Sequence, residues 1–195
     1  PRSAFEDYGT TTPNRGNRWI NNYVDGSTGY CMEVASGCIG TVVEGNVFKN
    51  AGLGTVPTTG TSVIGVTGDG AGAGEWTIGT RIINNDIYGR NASLDNDKVT
   101  VNGHTRDTLF ENNRFYNFKG DDATLEIIDP GTNTGVKIRN NTFRDGGALT
   151  HYVITVRCAD AVIEGNEILS DIAGTRGIFD GAGTGSFRII NNTIN

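Results

Sequence analysis

The chain has 195 residues, the size of a single domain, and 36% of them are hydrophobic, enough to form a folded core. Ile and Val total 32 residues against 7 for Leu and Met, which favours strands because β-branched side chains crowd a helical turn. The 16 basic and 22 acidic residues give a net charge of −6, which argues against a nucleic-acid partner. No apolar run approaches the ~18 residues of a membrane-spanning helix. These features predict a β-rich domain with neither nucleic acid nor membrane as its partner.

A six-residue pattern recurs along the chain: apolar, any residue, Asn or Gly, Asn, any residue, apolar. The second Asn of each copy is called the anchor asparagine below. The copies occupy Trp19–Val24, Val43–Phe48, Ile82–Ile87, Phe110–Phe115, Ile138–Phe143, Ile163–Ile168 and Ile189–Ile194. The anchors are Asn22, Asn46, Asn85, Asn113, Asn141, Asn166 and Asn192.

Each position of the pattern has a physical interpretation. The two apolar ends point into a shared core, and the central Asn or Gly tolerates the left-handed backbone of a sharp bend. The anchor amide can hydrogen-bond the backbone of its own turn and of the neighbouring coil. A short strand, a corner and a second strand, repeated every ~25 residues, bury a continuous interior only when they stack as a solenoid. The sequence therefore predicts an all-β solenoid of about seven coils.

The chain resembles right-handed parallel β-helices of the pectate-lyase-like superfamily. The phrases 41–48 (TVVEGNVF) and 136–143 (VKIRNNTF) carry this resemblance, which extends from about residue 17 to residue 195. The superfamily includes polysaccharide lyases, polygalacturonases, mannuronan epimerases and phage tailspikes. The resemblance implies the fold, whereas the chemistry depends on side chains placed on that fold.

We expect one domain over residues 1–195, with an irregular N-terminal segment at 1–17 and a Gly- and Thr-rich lateral loop at 51–79. The loop has room for a short strand of its own at 62–66. The sequence stops within the last repeat without a polar cap, and an uncapped solenoid exposes an edge that can pair with another strand. This predicts a longer parent chain or a partner subunit that covers the end.

A candidate catalytic column lies nine or ten residues after four successive anchors. It consists of Asp95, Asp122, His151 and Arg176, with Asp97 and Asp121 beside the first two. Two carboxylates within roughly 5 to 9 Å of each other can act as acid and base in glycoside hydrolysis. His151 could relay a proton, and Arg176 could hold an anionic sugar. The alternative interpretation is a row of solvated turn residues, because Asp is common in turns.

Within this column, Gly120-Asp121-Asp122 resembles the paired-Asp motif of polygalacturonases. The other signatures of that family are missing, and Asp129-Pro130 matches only half of an epimerase signature. No protein metal site is predicted. Asp95, Asp97, Asp121 and Asp122 could nevertheless supply oxygen ligands to Ca²⁺, the one cofactor that remains open.

Two tyrosines are candidates for substrate binding. Tyr88 and Tyr116 both come three residues after an anchor, on adjacent coils. Flat rings along one face suit the apolar faces of pyranose rings, and Asp97 could add a polar contact. Ordinary tyrosine packing is the competing interpretation.

The cysteines are expected to be free and buried. Cys38 and Cys158 both precede an anchor by eight residues, so they lie in one column four coils apart, roughly 19 Å, far beyond disulfide reach. A bridge between Cys31 and Cys38 is the only one that remains conceivable. Three free thiols are predicted.

Two functions remain open. The fold resemblance and the Asp95 to Arg176 column favour a polysaccharide-processing lyase or hydrolase, such as the receptor-degrading part of a phage tailspike. The missing signatures and plain repetition favour a non-catalytic glycan-binding shaft or adhesin. Either function implies a polysaccharide partner and an extracellular or virion-associated location. The tailspike resemblance alone implies a homotrimer.

Overall fold

The structure, a computed structural model, describes residues 3–9, 12–53, 62–69, 75–90, 98–118, 123–128, 132–144, 152–169, 176–181 and 186–195. Short strands follow one another in sets, one set for each coil. The first set is β1 (Phe5–Tyr8), β2 (Asn14–Arg15), β3 (Arg18–Ile20) and β4 (Tyr23–Asp25). The second is β5 (Met32–Ala35), β6 (Cys38–Ile39), β7 (Val42–Glu44) and β8 (Val47–Lys49). The third is β9 (Ile64–Gly68), β10 (Thr77–Ile78), β11 (Arg81–Ile83) and β12 (Asp86–Tyr88).

The remaining sets follow the same order. The fourth is β13 (Val99–Gly103), β14 (Thr105–Arg106), β15 (Leu109–Glu111) and β16 (Arg114–Tyr116). The fifth is β17 (Leu125–Ile127), β18 (Lys137–Arg139) and β19 (Thr142–Arg144). The sixth is β20 (Tyr152–Val156), β21 (Ala161–Glu164) and β22 (Glu167–Leu169). The seventh is β23 (Arg176–Asp180), β24 (Phe187–Ile190) and β25 (Thr193–Ile194).

Equivalent strands of successive coils pair in parallel and form four sheets. Sheet A contains β1, β5, β9, β13, β17, β20 and β23, and the short sheet B contains β2, β6, β10 and β14. Sheet C runs from β3 to β24 and sheet D from β4 to β25, each with seven strands. Five strands of each long sheet are interior, so about five turns are enclosed by a coil on both sides. Every pairing among the described strands is parallel, and the all-β solenoid predicted from the repeat is confirmed.

The core is built from columns of identical repeat positions. The last apolar position of the repeat supplies one such column, in which Phe115 and Phe143 stack with ring centroids 4.5 Å apart and planes 7° from parallel. The first apolar position supplies a second column, in which Phe110 and Ile138 are fully buried neighbours. Each such side chain contributes about 1.5–3 kcal/mol relative to an exposed one. Burial along these two columns therefore contributes to holding the coils together.

The anchor asparagines form a hydrogen-bonded ladder inside the corner between sheets C and D. The backbone N–H and side-chain Nδ2 of Asn85 both donate to Oδ1 of Asn113, at 3.0 Å each. Nδ2 of Asn85 also donates to the carbonyl oxygen of Val43 in the preceding coil at 2.9 Å. The same arrangement links each anchor to the next, from Asn22 to Asn192. The ladder thus satisfies polar groups that the corner would otherwise bury without partners.

The residue before each anchor has the left-handed backbone that the pattern predicts. Its φ is 55° at Asn112 and 65° at Gly45, and the other five copies fall in the same region. A second left-handed corner, between sheets B and C, lies six residues before an anchor. It is occupied by Gly16, Gly40, Gly79, Asp107, Gly135 and Asp160. Six of the seven coils therefore turn at two positions where only Gly, Asn or Asp fits without strain.

The described parts of two segments expected to lie outside the stack belong to it. In the segment 51–79, Ile64–Gly68 is a central strand of sheet A, paired with β5 on one side and β13 on the other. Val63, Ile64 and Val66 are fully buried. This short apolar run therefore forms a core strand, although the sequence around it is polar. The segment 1–17 contributes Phe5–Tyr8 to sheet A and Asn14–Arg15 to sheet B. Both segments therefore contribute strands to the sheets, including one close to the short strand expected at 62–66.

Candidate functional site

The outer face of sheet D carries a column of aromatic and charged side chains, one from each of four successive coils. Tyr88 and Tyr116 occupy paired positions, as their equal offset predicts, and their rings stack with centroids 4.8 Å apart and planes 20° from parallel. Arg144 pairs with Tyr116 on the next strand and is exposed. Lys49 lies on the other side, with Nζ 4.6 Å from the centroid of Tyr88. These four residues, Lys49, Tyr88, Tyr116 and Arg144, are called the tyrosine column below.

The neighbours of Tyr88 limit how a ligand can contact its ring. Tyr88 has the Lys49 ammonium on one side and the Tyr116 ring on the other, so its faces are already in contact with neighbours. Cation–π and ring-stacking contacts of this kind are each worth about 0.5–1.5 kcal/mol. Both tyrosines are half-buried. The flat platform for pyranose faces that the sequence suggested is therefore not available at Tyr88.

Ion pairs and hydrogen bonds order the side chains beside this column. Arg114 binds Asp86 in bidentate fashion, with Nε–Oδ1 at 2.5 Å and Nη2–Oδ2 at 2.7 Å. This hydrogen-bonded contact raises the pKa of Arg114. Near Lys49, the Asp25 carboxylate accepts hydrogen bonds from Asn50 Nδ2 at 2.6 Å and from the Tyr23 hydroxyl at 3.0 Å. These two bonds, the one from Asn50 first, lower the pKa of Asp25. The charged groups and hydrogen-bond donors of this surface are therefore held in place by one another.

Most of the predicted site residues lie outside the described residues. They are the catalytic candidates Asp95, Asp121, Asp122 and His151 and the substrate-binding candidate Asp97. Their segments immediately precede strands of sheet A in the chain. The backbone of Arg176 is described and begins β23, where it pairs with Tyr152, the residue after His151. The grouping of Asp95, Asp122, His151 and Arg176 stays a prediction.

The outer face of sheet A holds a buried ion pair that the sequence analysis missed. Lys98 Nζ lies 2.8 Å from Glu126 Oε2, and the two side chains are only 13% and 10% exposed. Glu126 stands between Leu125 and Ile127, both fully buried on the inner side of the strand. An acid between two core residues on a short strand is the signal that could have identified it.

Hydroxyl groups surround this pair on the same sheet. Thr100 lies directly beside Glu126 in the register, and Thr155 lies on its other side. The hydroxyls of Ser62 and Thr100 are 3.0 Å apart. All three hydroxyl residues are nearly inaccessible although they are on the outer side of the sheet. This part of the face therefore combines the Glu126 carboxylate, the Lys98 ammonium and several hydroxyls in a shielded position.

Among the described residues, no group of three or more His, Cys, Asp or Glu side chains is placed to hold a metal ion. The four aspartates considered for Ca²⁺ lie outside those residues, so that expectation stays untested.

His104 packs edge-on against Trp76, with ring centroids 5.1 Å apart, and is half-buried. In the described part of the chain, no helix has the length and apolar character needed to span a membrane.

All three cysteines are free and buried, as the repeat spacing predicts. The thiol of Cys38 donates to the carbonyl oxygens of Ala35 and Asp7, and that of Cys31 donates to the carbonyl oxygen of Lys49. Burial raises the pKa of Cys31 and of Cys38 to about 12. A reactive thiol needs a lowered pKa and access to solvent, so these cysteines are structural.

No family model matches the chain, and no curated protein matches it. Among solved structures, the chain is similar to the Streptococcus pneumoniae surface protein and adhesin PfbA, with a TM-score of 0.55 and 13% sequence identity. The alignment covers 92% of this chain but only 64% of that one, so the chain spans less than two thirds of the length of its neighbour. A likeness at this identity establishes a shared β-solenoid fold and nothing about the site.

Proposed function

We propose that this protein is an extracellular glycan-binding β-solenoid whose recognition surface includes the tyrosine column on sheet D. The single observation that carries this proposal is the continuous order Lys49, Tyr88, Tyr116, Arg144 along four strands. It places two cations and two phenol groups on one face, about 4.8 Å apart from strand to strand.

The chemistry of the column suits an oligosaccharide that lies along the solenoid axis. Phenol hydroxyls both donate and accept hydrogen bonds, so they can contact sugar hydroxyls from the ring edge. Arg144 is exposed and makes no ion pair with a described residue, which leaves its guanidinium available for a carboxylate or sulfate group. Because the column is fixed by strand pairing and ring stacking, little side-chain freedom is lost on binding.

The neighbouring structure agrees with a location outside the cell, since that protein is described as a surface protein and adhesin. A solenoid that repeats one surface pattern many times is a plausible shaft for attachment to a polymer. The missing family signatures of the lyases and polygalacturonases also favour binding over cleavage.

The test is an array of bacterial and algal polysaccharides probed with the protein and with two variants. Tyr116→Ala removes the ring and the hydroxyl, and Tyr116→Phe removes only the hydroxyl. Tyr8→Ala is the matched control, because Tyr8 is an exposed tyrosine on sheet A. We expect Tyr116→Ala to abolish binding and Tyr116→Phe to weaken it, while the control binds normally. Unchanged binding by both Tyr116 variants would exclude the tyrosine column.

A second candidate is a polysaccharide-processing enzyme, a lyase or hydrolase, with its site on the outer face of sheet A. The observation that favours it is the shielded Lys98–Glu126 pair on sheet A. The candidate residues belong to the same sheet by sequence: Arg176 begins one of its strands, and the segments that precede its strands contain Asp95, Asp121, Asp122 and His151. Buried charge pairs on a polar face are common at catalytic sites.

The enzyme is tested by incubating the same polysaccharides with the protein and measuring new reducing ends and the absorbance of unsaturated sugars. Asp122→Asn and His151→Ala should each abolish any such signal. Activity that survives both substitutions would exclude this site, and the absence of activity with retained binding supports the glycan-binding proposal.

A further inference from the structure

The outer face of sheet C shows an alternation that repeats every second coil. One position of each strand forms a cross-strand column, in which basic and aliphatic side chains alternate. In order along the axis they are Arg18, Val42, Arg81, Leu109, Lys137, Val162 and Arg188. The four cations, Arg18, Arg81, Lys137 and Arg188, are called the basic row.

The geometry of the basic row follows from the strand spacing. Neighbouring strands are about 4.8 Å apart, so successive cations of the row are about 10 Å apart. All four are exposed, whereas the three aliphatic residues between them are half-buried. Arg81, Lys137 and Arg188 make no ion pair with any described residue. The row therefore presents exposed cations at a fixed interval, separated by half-buried aliphatic side chains.

A parallel column two residues further along the strands carries the acids of this face, and most of their charge is matched locally. Glu44 Oε2 lies 3.5 Å from Arg18 Nη2, and Glu164 Oε2 lies 3.8 Å from Arg139 Nε. Glu111 is the direct neighbour of Arg139 in the register. The face thus has five cations and three carboxylates, although the chain as a whole has a net charge of −6.

We propose that the outer face of sheet C is a docking surface for a linear acidic polysaccharide that carries one acidic group for every two sugars. An extended disaccharide is about as long as two coils, so each acidic sugar would meet a cation of the row. The intervening sugar would lay its apolar C–H face on Val42, Leu109 or Val162. Exposed cations at this interval supply charge complementarity, and the aliphatic residues supply the contact area.

The same spacing argues against a nucleic acid at this face. Double-stranded DNA carries a charge every ~1.7 Å, which is far denser than the basic row, and the three carboxylates would repel it. A polymer with sparse, regular charge matches the face better than one with continuous charge.

The binding test compares three polymers: hyaluronate, with one carboxylate per two sugars; polygalacturonate, with one per sugar; and dextran, with none. We expect hyaluronate to bind most tightly, dextran not to bind, and binding to disappear at about 1 M salt, where the screening length falls to ~3 Å. Arg81→Gln with Lys137→Gln should weaken hyaluronate binding at least about tenfold, since two charge-assisted contacts are lost. Arg15→Gln with Arg157→Gln makes the same charge change away from the row and should have little effect.

The interval itself is tested by adding a cation midway between two members of the row. Leu109→Lys, or Val42→Lys if the first variant melts at a lower temperature, should improve polygalacturonate binding more than hyaluronate binding. Equal gains for both polymers would mean that only net charge matters and would overturn the proposal, as would equal losses from the two double substitutions.

This surface does not depend on the tyrosine column. Tyr116→Ala should leave hyaluronate binding unchanged, because Tyr116 lies on sheet D. Loss of hyaluronate binding in Tyr116→Ala would assign that ligand to the tyrosine column and overturn the sheet C proposal. A failure of the tyrosine column and a failure of the basic row are therefore distinguishable.

Discussion

Nδ2 of Asn113 lies 3.0 Å from Oδ1 of Asn141, and the backbone nitrogen of Asn113 lies 2.9 Å from the same oxygen. One carbonyl group thus receives two hydrogen bonds from the coil before it, in a position fully shielded from water. Nδ2 of Asn113 donates its second hydrogen to the carbonyl oxygen of Ile82 at 2.8 Å. The side chain therefore uses its whole amide group to join three coils.

Asn113→Ala should lower the free energy of unfolding by about 2–4 kcal/mol, because it leaves buried donors of Asn85 and the carbonyl oxygen of Ile82 without partners. Urea denaturation monitored by circular dichroism measures the change. Asn192→Ala, at the half-exposed last anchor, should cost clearly less. Equal costs at the two anchors would contradict a stabilising role for the ladder.

Asn113→Asp should be worse than Asn113→Ala at neutral pH, because a carboxylate would face the acceptors of Asn141 and Ile82 in a buried position. Protonation restores one donor, so the pKa of the introduced carboxyl is raised on folding. Its contribution to stability is present below the pKa of the unfolded chain and is lost as the pH rises. The deficit relative to the parent should therefore shrink at acidic pH in paired urea titrations.

Asn112→Val should destabilise the protein by about 1–2 kcal/mol, because the φ of 55° at this residue is strained for a β-branched side chain. Asn112→Gly should stay within about 1 kcal/mol of the parent, since Gly45 and Gly165 occupy the same position in other coils. Thermal unfolding compares the two variants. Glu111→Val, one residue earlier in a strand, is the control and should be tolerated.

Lys98→Met should cost about 3–5 kcal/mol, since it leaves the Glu126 carboxylate buried without its cation. Combining it with Glu126→Leu should recover most of that loss. The same double-mutant cycle on Arg114 and Asp86 should give a coupling below about 1 kcal/mol, because the Arg114 side chain is 57% exposed. Similar couplings for the two pairs would show that shielding does not distinguish them.

The buried thiols predict a stability change at alkaline pH. Below the ordinary thiol pKa of 9.0, Cys31 and Cys38 are protonated in both folded and unfolded chains, so they add no pH dependence. Above it the unfolded chain loses these protons, whereas burial keeps them in the folded chain up to about 12, and stability therefore falls as the pH rises between those values. The Cys31→Ala/Cys38→Ala variant should show a shallower loss across this window.

A thiol count tests the same residues independently. Labelling the denatured protein without reductant should detect three thiols, and the native protein should react slowly with the same reagent. Recovery of a single thiol would indicate a Cys31–Cys38 bridge and contradict the structure.

The sequence predicted the parts of the fold that repeat at fixed spacing. The six-residue pattern located the anchor ladder, the left-handed corner beside it and the two core columns, because each is formed by positions of one short segment that recur in every coil. The second left-handed corner could also have been predicted, since Gly or Asp stands six residues before six of the seven anchors. It was missed because that position lies outside the pattern.

The candidate sites on sheet A could not be predicted in the same way. Between an anchor and the next strand of sheet A the chain length varies, from 10 residues between Asn22 and Met32 to 18 between Asn46 and Ile64. Equal offsets from the anchors therefore do not give equal positions there, and Lys98 meets Glu126 through strand pairing that no spacing reveals. Tyr88 and Tyr116 follow their anchors directly, so their contact was predictable. The covered ring face of Tyr88 was not predictable, because Lys49 reaches it through its side chain.

The asparagine ladder also gives the solenoid a direction. Each of the first six anchors donates to the next coil along the chain, so the amide dipoles of the ladder are aligned head to tail and polarise one another. A coil that has just folded presents two oriented donors to the asparagine that follows it, and so acts as a template for the next turn. We therefore expect the structure to grow coil by coil, in the order in which a ribosome delivers the repeats.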